Sequence, residues 1–566
     1  MILSHPSSAA TAFRSRKAVM QNKNMIIAIV LCLGIMFGWG YLAEYVGWVQ
    51  RPSEQQLQEQ QKVAEEKQRA EEKAAAEAAE ARKLPAFTPS EGRDVTVNTP
   101  LYTAKVYSGG AILRSFDLKK YHKEVSESSP AINLVNPETA AVAPLGLLVN
   151  GQPSWSTGKW SAEAADATVP AGQSKTLVFT GEVDGIRVTR ALTFHADKYI
   201  ISETVSLATL GDAARTARVA YTIASDKAGL SEGPYDSMRI AWNVNGKQGE
   251  EADAKDLDAG VKETGKVGWA GAMNTYFLSA ILPAAGQEGT VKGRLQNGVY
   301  RTAVEQGDIL LTPGQEKVLN VSYWVGPKER NLLVDAPNDL LTSIDLGMFS
   351  LIAKGLLWLL NFFQQYVHNW GVSIILLTVL IKAAFWPLTE KSYSSMEKMK
   401  KLQPLMSSIR EKYKDDKEAM NKEVMGLYKT YGVNPASGCV PMLVQLPVFF
   451  GLYQALLTSI ELRHASFIPF LPGTDIVWLA DLASKDPLYI TPIVMGLTMF
   501  LQQRMSPPVG DSTQQKIMLF LPLIFTVMFL GFPSGLVVYW LVNNVLSIAQ
   551  QWLMIRRNTR NAANAA

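Results

Sequence analysis

The chain has 566 residues, 47% hydrophobic and 19% charged, with a formal net charge of +4. That near-neutral balance, with no basic stripe interleaved with aromatics, excludes a dedicated nucleic-acid binder. Two distant cysteines, Cys32 and Cys439, and five histidines without ligand spacing exclude a disulfide framework and a metal centre, so no metal and no cofactor is expected.

The mean hydropathy of +0.03 hides very unequal segments. The first apolar run, Met25 to Val46, follows Arg14, Arg16, Lys17 and Lys23. At 1.5 Å per residue it crosses a hydrocarbon core of about 30 Å, which predicts an anchor over 25–46 with residues 1–24 in the cytoplasm. No good small-x-small site follows it, since Leu42-Ala43-Glu44 imitates one poorly, so the anchor is read as uncleaved. Met20 is an alternative start that would leave 1–19 as a start-site artefact. Within 47–87, Ser53-Glu54-Gln55-Gln56 reads as a capping box, and good helix formers follow as far as Pro85. This segment is either a helical stalk roughly 45 Å long or a disordered charged linker. Both readings make it a spacer.

From 88 to 335 the pattern changes to short alternating runs: Tyr102 to Tyr107, Leu177 to Thr180, Ile186 to Phe194, Ile200 to Ser206 and Lys317 to Trp324. Turn signals such as Asp184-Gly185 and Asn297-Gly298 separate them, predicting an all-β sandwich. Within it Gly260 to Lys266 imitates a phosphate-binding loop, but Val267 stands where a Ser or Thr must hold magnesium, and no apolar strand precedes it.

Positive-inside counting arranges the rest. Residues 389–432 hold ten cations: Lys391, Lys398, Lys400, Lys401, Arg410, Lys412, Lys414, Lys417, Lys422 and Lys429. The loop 461–488 has only Arg463 and Lys485, and the tail 556–566 has Arg556, Arg557 and Arg560. Six spans satisfy this distribution: 25–46, 369–388, 433–460, 489–505, 516–533 and 534–555. The segments 389–432, 506–515 and 556–566 are then cytoplasmic, and 461–488 and the β domain lie outside. A seventh span would put the ten-cation segment outside. The segment 344–368, with Lys354, Gln364, Gln365 and His368, therefore reads as an amphipathic helix in the outer interface.

The cytoplasmic segment is expected to be a helical hairpin turning at Lys414-Asp415-Asp416. Met396, Met399, Leu402, Met406, Ile409 and Tyr413 face Met420, Val424, Leu427, Tyr428 and Tyr431 at helical spacing, and Pro404 should bend the first helix. Those faces pack on each other. Met396, Met399, Met420 and Tyr428 also offer adaptable apolar surface for partners.

Polar residues within the spans are sparse. Lys382 lies in the apolar run Ile374 to Trp386, six residues before Pro387-Leu388-Thr389 ends it, about 9 Å below the cytoplasmic boundary. A lysine at full depth costs about 2.5 to 3.5 kcal/mol, part of which snorkelling relieves. Thr378 is on its face at i−4, Gln445 interrupts the third span, and Tyr539, Asn543, Asn544, Ser547, Gln550 and Gln551 mark the last. Asp and Glu are absent from the apolar cores of the spans after Gly371, so water must reach the ammonium group. The expected site is a wet groove holding one positive charge, open to the cytoplasm and to lipid. Such a groove lowers the desolvation barrier for a hydrophilic tail, while burial of an apolar segment drives the transfer.

Several motifs carry a resemblance. Asn369-Trp370-Gly371, Pro387-Leu388-Thr389, Ser395-Met396, Leu402-Gln403-Pro404, Tyr428, Val433-Asn434-Pro435, Gly438-Cys439, Gln445-Leu446-Pro447-Val448-Phe449 and Phe532-Pro533-Ser534-Gly535-Leu536 together resemble the YidC/Oxa/Alb family of membrane protein insertases. The likeness is dense from Ile344 to Arg557, and is greatest to Gram-negative members with an extra first span and a large periplasmic domain. It implies a non-enzymatic insertase and chaperone in the bacterial inner membrane. That protein would have a five-helix core with a hydrophilic groove, a mobile cytoplasmic hairpin and a periplasmic β-supersandwich. Implied partners are nascent membrane proteins, ribosome–nascent-chain complexes, the Sec translocon and membrane lipids. The groove's positive residue is typically Arg in the family; Lys382 matches it and lacks the planar fork of a guanidinium. Thr378, Gln445, Tyr539 and Asn543 fall among the polar groove positions, and Trp540 stands where relatives carry a second Tyr. The short alanine-rich tail offers no long basic ribosome-binding extension. Two rivals make different demands: a small-solute transporter would need inverted repeats and paired acids, and a carbohydrate enzyme would need acids and a histidine clustered in the β domain.

Overall fold

A computed structural model describes residues 92–565 except 127, 158, 164, 228–236, 415, 434–439, 471, 473–475 and 506–511. The anchor 25–46 and the linker 47–87 lie outside the described residues. The chain divides into two compact units, Met1–Ala74 with Pro508–Phe520, and Ala75–Pro507 with Leu521–Ala566. All contacts described below are within the second.

The regular structure of residues 94–327 is mostly antiparallel strand, with three short helices and one parallel pairing. The alternating run 186–195 is buried at every second residue and pairs with Ser174–Val183 on one side and Ile200–Thr209 on the other, as period-2 patterning requires. Asp184 and Gly185 both take positive φ (52° and 66°), as do Asn297 and Gly298 (50° and 82°). These are the left-handed conformations a tight hairpin turn needs. Fourteen strands form one continuous sheet and five more, starting from Asp94–Asn98, form a second. Val261–Met273 is the strand that joins the two halves of the large sheet. Its first half pairs with Glu288–Gln296 and its second with Phe277–Pro283. The segment imitating a phosphate loop is thus the beginning of a strand.

The core of this domain is one apolar cluster that includes Trp269, Trp324, Phe179, Phe194, Phe116 and Tyr323. Burial of each large side chain contributes about 1.5–3 kcal/mol. One ion pair is sealed inside it. Arg190 Nε donates to Glu203 Oε1 (2.5 Å), Nη2 to Glu203 Oε2 (3.1 Å) and to the Leu145 carbonyl (2.6 Å), and Nη1 to the Gly110 carbonyl (2.7 Å). Tyr323 donates its hydroxyl to Glu203 Oε2 (2.7 Å). Both charges are completely buried and richly bonded, the condition under which a buried pair is tolerated.

After a four-residue helix at Arg330–Leu333, seven longer α-helices follow among the described residues: α1 (Ser350–Val367), α2 (Trp370–Lys412), α3 (Lys417–Thr430), α4 (Val440–Thr458), α5 (Ile490–Met505), α6 (Ser512–Phe529) and α7 (Ser534–Ala565). By length and apolarity, α2 is the one helix among the described residues that could cross a membrane unaided by that measure, and Leu443–Thr458 and Met518–Phe529 are shorter apolar stretches. α1 buries Ala353, Leu356, Leu357 and Leu360 against α2 and α4 and exposes Leu351, Trp358, Phe362 and Tyr366, the two-faced pattern expected of it. Asn369 caps α2 by accepting from the Val372 N–H (3.0 Å).

α2 does not end at Pro387-Leu388-Thr389. It continues into the basic segment as one 43-residue helix, through Pro387 and Pro404. Proline removes a helical donor, and hydroxyls bond backbone carbonyls around both sites. Thr389 donates to the Phe385 carbonyl (3.0 Å), and Ser407 and Ser408 donate to the Pro404 carbonyl (2.7 and 2.9 Å). The end of the apolar run marks a change of solvent, not of backbone.

Candidate functional site: a polar cluster between three helices

α5 lies along α7, α7 along α2, and α1 along α2 and α4, whereas α4 meets α2 and α7 only sparsely. The space between α2, α4 and α7 is therefore a sparsely packed part of the bundle, and polar residues of the three helices converge there. Lys382 of α2, half-buried, donates from Nζ to Ser547 Oγ of α7 (2.7 Å). Ser547 donates in turn to the Asn543 carbonyl one turn back (2.7 Å). Gln445 of α4 donates from Nε2 to Asn543 Oδ1 (2.8 Å).

These bonds leave valences open. An ammonium group has three donors, and among the described residues Lys382 has one hydrogen-bond partner, a neutral hydroxyl, and no ion pair. A charge held this way needs water or a ligand for its remaining protons. The cluster can thus offer one positive charge and neutral donors and acceptors to a polar guest.

The remaining candidates sit differently. Tyr539 is 1% exposed, and its hydroxyl lies beside the Gln445 side chain without a well-aligned hydrogen bond. Thr378 is fully buried, with its hydroxyl turned back onto the Ile374 carbonyl of its own helix (2.7 Å). Trp540 packs edge-on against Phe449 (4.7 Å between centroids) and beside Phe529 (5.2 Å). It belongs to a dry aromatic layer one turn before the polar cluster. Ser547, the direct partner of Lys382, is the residue that the motif matching passes over; its position one turn after Asn543 on the same face was the available signal.

Two other polar residues of α7 point elsewhere. Asn544 Nδ2 reaches the Met495 carbonyl and Thr498 Oγ1 of α5 (both 3.5 Å), and Gln551 donates to the Met505 carbonyl (2.7 Å). They tie α7 to α5 and do not face the cluster.

In the hairpin, Met399 and Leu402 are buried with Val433 against Leu427 and Tyr428, and the Tyr428 hydroxyl contacts Met406 Sδ at 3.6 Å. Met396 and Met420 remain half-exposed.

Comparison with known proteins supplies the family. Residues 362–561 match the model described as 60Kd inner membrane protein, and residues 94–359 match the YidC periplasmic domain. The membrane protein insertase YidC of Nitratidesulfovibrio vulgaris (Miyazaki F) is 56% identical over 95% of this chain and 100% of its own length. The chain belongs to the YidC family of membrane protein insertases. The family is one of insertases and not of enzymes, and its members are inner-membrane proteins with a periplasmic domain. Among solved structures, one described as an active YidC insertase with its first transmembrane domain resolved is 17% identical, covering 82% of this chain and 93% of that one, with a TM-score of 0.34. A putative aldose 1-epimerase from Escherichia coli K12 is 12% identical, covering 41% of this chain and 99% of that one, with a TM-score of 0.28. At such scores neither likeness carries a functional argument.

Proposed function

We propose that the Lys382–Ser547–Asn543–Gln445 cluster is where this insertase receives the hydrophilic part of a nascent membrane protein while the adjoining apolar segment moves into lipid. The observation that carries this reading is the half-buried ammonium group, with a single neutral partner among the described residues, in a sparsely packed part of the bundle. A hydrophilic segment in hydrocarbon loses its hydrogen bonds, and a polar recess within the bundle returns some of them. Burial of the apolar segment, at about 25 cal/mol per Å², supplies the drive.

The finer assignments belong to the same proposal. Six spans, with 25–46 as the first, place both termini, the hairpin and 506–515 in the cytoplasm, and 88–335 and 461–488 in the periplasm. The half-exposed methionines of the hairpin and the exposed Met425 meet emerging chains before they reach the groove. The protein acts alone on small substrates and beside the Sec translocon on larger ones, receiving chains from ribosomes. Site-specific crosslinking of a stalled nascent chain tests the core of this reading. Photoprobes at 382, 445 and 543 should capture the chain and probes at 498 and 551 should not; capture at the second set alone would refute it.

A further inference from the structure

The segment between α4 and α5 carries a small hairpin, Ile468–Phe470 paired with Val477–Leu479, whose chemistry does not suit an aqueous loop. Its base is fixed to the bundle. Leu479 is buried with Leu482, Ile374, Phe529 and Leu536, which lie within about a turn of the helix ends of α2, α6 and α7. The Phe467 carbonyl accepts from Asn369 Nδ2 (3.1 Å), and the Trp478 indole donates to Asp486 Oδ1 (3.1 Å). Asp486 in turn accepts from the N–H and the hydroxyl of Thr491 in the first turn of α5 (2.7 Å each). The hairpin is thereby held level with the ends of α2 and α5.

Strand geometry carries the apolar face beyond that base. Ile468 pairs with Leu479 and Phe470 with Val477, and residues two apart share a face. The face that begins in the buried Leu479 therefore continues into Phe470 and Val477, which are 52% and 54% exposed, with Ile476 beside them at 50%. From Ala465 to Ala480 the only charged residue is Asp475. The exposed face of the helix that follows is equally apolar, with Ile493, Leu497 and Leu501 half or more exposed.

We propose that this hairpin is immersed in lipid, with Phe470, Ile476 and Val477 among the acyl chains just below the headgroups and the Trp478 indole at the boundary. The occupant is argued from continuity. The exposed apolar hairpin face runs from the bundle's own core, beside a helix whose exposed face is that of a membrane span, and one acid, Asp475, between Ala465 and Ala480 is too little charge for the polar rim of a protein docking site. The hairpin would pin the ends of α2 and α5 at a fixed depth and so hold the closed end of the bundle while the other end receives substrate. The inference concerns lipid depth at the hairpin and stands independently of whether Lys382 contacts substrate.

The test uses the full chain with Cys32→Ser and Cys439→Ser, reconstituted in phosphatidylcholine–phosphatidylglycerol vesicles. An environment-sensitive fluorophore is attached after Phe470→Cys or Val477→Cys, and, as a water-exposed reference, after Leu210→Cys in the β domain. Labels at 470 and 477 should be quenched by lipids carrying a nitroxide high on the acyl chain and shielded from iodide, with the reverse at 210. Phe470→Asp should abolish the lipid quenching at 477. Iodide quenching at 470 and 477 would overturn the proposal by placing the hairpin in water. Shielding from both quenchers would overturn it by showing that protein, a second copy included, covers the face. Unchanged lipid quenching at 477 in Phe470→Asp would also overturn it, because the apolar face would not be what holds the hairpin there. The readout is the same whichever leaflet the loop faces.

Discussion

Replacing Lys382 by Met separates a functional charge from a structural one. The ammonium group is half-buried, and among the described residues its single partner is the Ser547 hydroxyl at 2.7 Å. Removing it forfeits a charged hydrogen bond worth about 1.5–3 kcal/mol and relieves a depth penalty of up to about 2.5–3.5 kcal/mol, partly offset already by access to solvent. The two nearly cancel, so the variant should unfold within about 1 kcal/mol of the parent by these same scales. Transfer is affected differently. A substrate carboxylate about 6 Å from the ammonium, at an effective dielectric constant between 20 and 40, gains about 1.4–2.8 kcal/mol. Losing this attraction slows insertion roughly ten- to a hundredfold if it acts on the rate-limiting step. Protease protection in proteoliposomes, comparing one substrate with an acidic and a neutral tail, reads the difference. The acidic version should slow, the neutral version should not, and Lys382→Glu should slow the acidic version further. Equal slowing of both tails, or a large loss of stability with no tail dependence, would refute the charged-groove reasoning and leave Lys382 as a packing residue.

Other expectations follow from the same geometry. Arg190→Met strands the buried Glu203 carboxylate and should destabilise the β domain by about 3–5 kcal/mol, whereas Arg190→Met with Glu203→Leu should recover most of that loss; denaturant unfolding monitored at the domain's tryptophans checks both. The imidazole of His464 is held down to about 4 by burial, then by the Arg463 charge, with Asp481 opposing and His122 adding to the depression. Its folded value lies below the unfolded one, so its contribution is complete above about pH 6.5 and drains away as pH falls toward 4. Hydrogen-exchange protection factors around 460–466, corrected for the pH dependence of the intrinsic rate, should therefore fall on acidification, and His464→Gln should flatten that response. Gly371 faces the Phe467 ring so closely that an added Cβ would overlap it. Gly371→Val should cost about 1–3 kcal/mol and loosen the 461–488 loop from α2, read as a lower melting temperature and increased proteolysis near 467.

Much of the architecture was legible because it is local. Period-2 burial, the Asp184-Gly185 and Asn297-Gly298 turns, and the two-faced segment from 350 to 367 are each set by neighbouring residues. The strand from Val261 to Met273 was not, because its role as the bridge between two halves of a sheet depends on partners distant in sequence, and Gly260 and Gly265 suggested a loop. That the apolar run and the first helix of the basic segment form one continuous helix was not legible for a different reason. Pro387 and the first lysines after it announce water, and a change of solvent does not by itself end a helix. In the candidate site, Lys382, Gln445 and Asn543 stood out as polar atoms in apolar surroundings, and the structure brings them together. Thr378 shares that signal, but a threonine in a helix can satisfy itself on the carbonyl one turn back, as it does here. Trp540 could not be placed from sequence, since an indole suits an aromatic layer as well as a groove.

The last helix shows why one face of a polar stretch binds helices together while the other leaves room for a guest. Tyr539, Asn543, Asn544, Ser547, Gln550 and Gln551 fall within an arc of about 140° at roughly 100° per residue, too narrow for periodicity to divide. Packing divides it. On one edge Asn544 and Gln551 bond α5 along a close interface, and parting these helices in lipid breaks hydrogen bonds that nothing replaces. On the other edge Asn543 and Ser547 meet α4 and α2 through single side-chain bonds, where α4 is packed sparsely. Room for an entering segment is therefore gained at least cost by displacing α4. Distances measured by paired spin labels during insertion should lengthen between α4 and α7 and hold between α5 and α7, and the opposite pattern would mean that the polar seam, not the sparse one, is the gate.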